Sequence, residues 1–147
     1  MPQNSKAVPA VLVGGLMAGT LDAASAFHSF GWGMPRGIAS GLLGRSAFHG
    51  GAATWILGLA LHYFIAILAA AVYYAASRRL KFLVEFPVVC GLFYGIAVFL
   101  VMNLIVLPLS AIHFKGPFQF AALVQGILIH MFFVGLPIAL SVRRFAR

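Results

Sequence analysis

Acidic residues are almost missing from this chain. Among its 147 residues only Asp22 and Glu85 are acidic, against ten lysines and arginines, a formal net charge of +8. Charged residues of both signs make up 8% of the chain, where a soluble domain carries about 25%. Cysteine is reduced to Cys90, so an intrachain disulfide scaffold is excluded, and in an apolar run this thiol reads as a small buried hydrophobe. Catalytic motifs are missing too. There is no H-E-x-x-H, no P-loop, no C-x-x-C and no nucleophile elbow, and Gly31-Trp32-Gly33 follows no strand that would make it a phosphate loop. The expectation is a protein that is not an enzyme. What is present is apolar: 63% of the residues are hydrophobic and the mean hydropathy is +1.03. That excludes a soluble domain and a disordered chain, and leaves an integral membrane protein.

A bilayer core about 30 Å thick takes roughly 20 apolar residues of helix. Four stretches qualify, at about residues 7–28, 51–77, 86–110 and 120–142, and only the first contains a charge, Asp22. Alternation at period two is lacking, which argues against a β-barrel. The expected fold is all-α, a four-helix bundle in a single transmembrane domain over residues 1–147. Between the first two spans, Phe30-Gly31-Trp32-Gly33-Met34-Pro35 breaks the helix. Residues 35–48 then read as a short interfacial or re-entrant segment, with proline suited to its start.

The bases sit at the ends of the apolar stretches, so they read as topology signals and contacts to anionic headgroups rather than as a nucleic-acid surface. With four spans, Lys6, Arg78, Arg79, Lys81, Arg143, Arg144 and Arg147 share one side, and Arg36, Arg45 and Lys115 the other. This asymmetry predicts cytoplasmic N- and C-termini. Trp32 and Trp55 are expected at the outer boundary, Tyr73 and Tyr74 at the inner one. Ala24-Ser25-Ala26 also fits a secretory cleavage site, but a single base precedes the apolar run and Asp22 stands just ahead of the site, which favours a retained first helix.

The chain repeats itself. Gly15-Leu16-Met17-Ala18-Gly19 is echoed by Gly91-Leu92-Phe93-Tyr94-Gly95, and Gly58-Leu59-Ala60-Leu61-His62-Tyr63-Phe64 by Gly126-Ile127-Leu128-Ile129-His130-Met131-Phe132. Ser77-Arg78-Arg79 and Ser141-Val142-Arg143-Arg144 close the two copies. The pattern predicts two tandem two-helix hairpins.

Small residues recur four apart on one face of each span: Gly15, Gly19 and Ala23; Gly58, His62, Ala66 and Ala70; Gly91 and Gly95; Ala122, Gly126 and His130. Such faces let helices approach closely in lipid, inside a monomer or in a homo-oligomer. By helical rise, Asp22, Asn103 and Gln125 lie roughly 10 Å from the outer boundary, and His62 and His130 about 15–18 Å. All five are expected to converge in the outer half of the bundle. Ionisable residues at that depth are by default a functional site, and imidazole titrates near neutral pH. Three readings follow. The five form a path for an ion, a proton or a small solute. They pin the helices of an accessory or structural subunit. Or His62 and His130, each four residues from a glycine, are axial ligands of a b-type haem; otherwise no cofactor is expected. Arg36 and Arg45 are candidates for a lipid or anion contact, and the nearest cations in sequence to Asp22.

The two Gly-Leu-x-x-Gly stretches, the Leu107-Pro108-Leu109 exit of the third span and the Gly-x-x-x-His of the fourth resemble the bacterial YagU-like inner-membrane proteins. The resemblance implies a multi-pass protein of the bacterial inner membrane. It carries no agreed activity and transfers no functional residue.

Overall fold

The computed structural model describes residues 3–116 and 118–146. The described residues are helical apart from short connections. In chain order the helices are α1 (Gln3–Phe30), α2 (Met34–Leu43), α3 (Ala52–Ser77), the single turn α4 (Phe82–Glu85), α5 (Pro87–Val101), α6 (Leu107–Leu109), α7 (Phe120–Ile129) and α8 (Leu136–Ala146). A π-helical turn, Met102–Val106, joins α5 to α6, and a second, His130–Gly135, joins α7 to α8. Four helical stretches are long and apolar enough to cross a membrane, and the protein is a multi-pass membrane protein. One end of the bundle carries the start of α1, the end of α8 and Arg78, Arg79, Arg143 and Arg144; it is called the basic end below, and the opposite one the distal end.

The segment after the first span is a helix in its own right. Gly31 and Gly44 adopt φ of +69° and +67°, a left-handed conformation that glycine reaches without a Cβ penalty. These residues stop α1 and α2, and Pro35 restarts the chain between them, where its missing N–H costs nothing. α2 buries Met34, Pro35, Ala39 and Ser40 and packs mainly on α3. Its crossing point is Gly58, where an added Cβ would strike the Pro35 carbonyl. Gly58 lies about 9 Å along α3 from Ala52 at 1.5 Å per residue, so α2 rests inside the distal end of the bundle. It is tied there by Arg36 Nε donating to Gly50 O (2.8 Å) and by Ala111 N–H donating to Gly41 O (2.8 Å).

The span contacts are close because the contact residues are small. Gly15 faces the Ile67 backbone, Gly91 faces Ala139, and Gly135 meets the backbone of Gly91 and Gly95 directly. The buried core cluster is made of Ala10, Ala18, Ala70, Tyr73, Val134, Ile138, Ala139 and Val142. Bulky apolar residues such as Phe64, Phe93, Leu104 and Phe132 point outward, as expected when lipid is the solvent and tight packing drives association. Tyr73, near the end of α3, is 1% exposed and donates its hydroxyl to Leu83 O on α4 (2.9 Å). Trp32 and Trp55 meet at the distal end. Trp32 stacks on Trp55 at 4.9 Å between ring centroids, and Trp55 Nε1 donates to Trp32 O (2.9 Å).

The two expected hairpins pack unequally. α1 lies along both α3 and α8, and α5 along the fourth span. α3 and α5 meet chiefly through the Tyr73–Tyr94 ring contact (4.9 Å) and the Tyr94 hydroxyl, which donates to Ala69 O (2.7 Å). The motif-matched positions also differ: Gly58 contacts the α2 backbone, Gly126 the ring of Phe99.

Candidate functional site

A cavity of about 100 Å³ lies in the distal half of the bundle. α1 supplies Gly19 and Asp22, α3 supplies His62 and Ala66, and the fourth span supplies His130 and Val134. Val98 and Met102 close the α5 side, and Ile38 of α2 contributes to the distal wall. Three of the five expected polar residues therefore line one space.

His62 is placed by the small face of α1. Its Nε2 stands 2.9 Å from Gly19 O and 3.9 Å from Asp22 Oδ2. A carbonyl only accepts, so Nε2 carries the hydrogen and Nδ1 is the basic nitrogen of the neutral ring. Gly19 lies three residues before Asp22, so the ring covers one turn of α1. The two side chains are 11% and 21% exposed. The neighbouring Tyr63 hydroxyl holds the same turn through Thr20 Oγ1 (3.0 Å). Asp22 makes this contact to His62, not the ion pair with Arg36 or Arg45 that sequence order invited. Arg36 is half-buried and engaged with Gly50 O, and Arg45 is exposed beyond α2.

His130 starts the π-helical turn, and its Nδ1 donates to Gly126 O on its own helix (2.8 Å). That leaves Nε2 as its basic nitrogen. π turns inside α-helices often accompany functional sites. Phe99 packs edge-on against the ring, with centroids 5.3 Å apart.

Asn103 and Gln125 fall outside the cavity lining. Asn103 Nδ2 donates to Phe99 O one turn back (2.9 Å). Gln125 is exposed and lines a separate outward-facing crevice with Ser25, Val124 and Leu128. Sequence reasoning missed the wall supplied by Ile38; the signal was the pairing of Pro35 on a short amphipathic helix with a glycine, Gly58, one turn from His62.

The haem alternative fails a fit test. Pockets for ligands of drug size run to about 300–1,000 Å³, and a porphyrin needs at least that, against about 100 Å³ here. The Nε2 of His62 is committed to Gly19 O. Among the described residues no group of three or more His, Cys, Asp and Glu is arranged to hold a metal ion.

Toward the basic end the cavity meets tightly packed apolar side chains. Ala70, Tyr73, Ile138 and Val142 are each no more than 1% exposed. Comparison of the chain with protein families, curated proteins and solved structures finds no match.

Proposed function

We propose that this protein is a conduit for protons or a small cation in the bacterial inner membrane, with both termini in the cytoplasm. The orientation rests on the excess of bases at the end that carries the termini, and the bacterial placement on the YagU-like resemblance. The observation that carries the reading is the gathering of Asp22, His62 and His130 around one cavity between the candidate spans. A carboxylate and two imidazoles there are costly to insert, by about 2.5–3.5 kcal/mol for a central Asp. A cavity of about 100 Å³ has room for about three waters at ~30 Å³ each. A proton or small cation arriving from the distal side would meet the Asp22 carboxylate and the His62 imidazole at this cavity. Onward movement requires the apolar plug around Tyr73 and Ile138 to part, so the conformation described here is a closed one.

The test is flux. Proteoliposomes carrying a pH dye, given an imposed potential, should acidify or alkalinise faster than empty vesicles. Asp22→Asn and His62→Ala should slow that response at least tenfold. Wild type indistinguishable from empty vesicles would overturn the conduit.

A second reading, an accessory subunit or homo-oligomer, is favoured by Gln125. Its amide faces outward from an apolar helix, and an amide in lipid gains from a partner helix that hydrogen-bonds to it.

A further inference from the structure

At the basic end a second, larger crevice of about 410 Å³ opens sideways between α3 and α5. It takes in Ala76 at the end of α3, Phe82 on α4, and Val89, Phe93 and Ala97 along α5. From Val89 to Ala97 it runs about 12 Å along the helix by rise. Its floor is the Tyr73–Tyr94 pair, and both hydroxyls are turned to backbone carbonyls, Leu83 O and Ala69 O. The Cys90 thiol likewise faces Phe82 O (3.6 Å). Polar groups at the lining are thus already engaged, and the crevice offers a polar solute nothing. It offers a hydrocarbon chain a long apolar slot.

The chain that links Ala76 to Phe82, both at the lining, is basic. Ala76 is followed within five residues by Arg78, Arg79 and Lys81, and Lys81 leads directly into Phe82. Arg79 and Lys81 are exposed. Glu85, one turn on, is the one opposing charge on this segment. An apolar slot next to a basic segment at the membrane boundary matches one ligand class: a phosphate headgroup on an acyl chain. We propose that this crevice is a binding site for one anionic phospholipid, its phosphate on Arg79 and Lys81 and its acyl chain against Phe93 and Ala97. This site lies at the opposite end of the bundle from the distal arginines and does not depend on the conduit reading.

Native mass spectrometry of the full chain in mild detergent tests it, with phosphatidylglycerol and phosphatidylcholine of identical chains as probes. One phosphatidylglycerol should be retained in preference to phosphatidylcholine. Arg79→Gln with Lys81→Gln, both at exposed positions, should weaken retention about fivefold per charge and about 25-fold together. Ala97→Phe, which fills the slot, should remove the bound lipid while leaving the chain folded by circular dichroism. Equal retention of the two lipids, or unchanged retention in the Arg79→Gln/Lys81→Gln variant, would overturn the site. Glycerol phosphate competing as well as the intact lipid would also overturn it, because the acyl chain would then contribute nothing.

Discussion

Gly58→Ala tests how α2 is seated over the polar cavity. A methyl group at Gly58 lands on the Pro35 carbonyl. A backbone carbonyl cannot swing aside as a flexible side chain can, so one helix must move. α3 is 26 residues long and α2 only ten, and α2 is held by one buried face and two loop hydrogen bonds; α2 is the element that yields. Overpacking of this kind costs about 1–3 kcal/mol, and alanine in place of glycine returns about 1 kcal/mol of helix propensity. That gain belongs to α3, which stays helical whether or not α2 is docked, so the full cost of about 1–3 kcal/mol falls on the docking of α2. Local opening should rise by the same free energy, which is about 5–150-fold faster hydrogen exchange over 34–43. Gly37→Ala is the control, because nothing lies within 4 Å of its added Cβ and it carries the same propensity gain. Exchange measured by mass spectrometry in detergent would read both. If Gly58→Ala protects α2 as well as Gly37→Ala and wild type do, α2 does not rest on Gly58. Because Ile38 is part of the cavity wall, the lifted helix should also raise any proton flux.

Gly135→Ala should destabilise the whole bundle by about 2–3 kcal/mol, since the methyl meets the backbone of Gly91 and Gly95; denaturant titration in detergent reads the shift, and no change would mean that α5 and the fourth span are not in backbone contact. Tyr94→Phe removes the hydroxyl that bonds Ala69 O (2.7 Å) and should cost about 0.5–1.5 kcal/mol in the same titration. Cys90, at the lining of the crevice beneath it, should react faster with a membrane-permeant maleimide in that variant if the α3–α5 contact loosens.

The spans were legible because 20-residue apolar runs have few alternatives, and α2 because Gly31, Pro35 and Gly44 punctuate it. Side-chain direction was harder to read. Gln125 sits one residue, about 100° of helical turn, from Gly126, and that angle separates the bundle interior from lipid. Asn103 turned to its own helix at Phe99 O, an acceptor that residue counting does not reveal. The burial of Tyr73 was not legible, because it depends on α4 bringing Leu83 O within reach of its hydroxyl. The repeat of motifs did not become a repeat of contacts: His62 reaches across to Gly19 on α1, whereas His130 bonds within its own helix. Letters four apart fix a face, but the neighbour on that face depends on which helix happens to pass.

The turn at His130–Gly135 separates two quantities that a regular helix locks together, length and angular phase. His130, Gly135 and Ala139 all face α5, although the first two stand five residues apart. A regular helix would have rotated Gly135 away and brought Val134 onto that face. The widened turn absorbs one residue, so the chain after it keeps its heading while gaining a position. A one-residue deletion between 130 and 135 would therefore leave Ala139 and Ser141 aimed as they are now. The same deletion anywhere along α8 would turn every later side chain by about 100°.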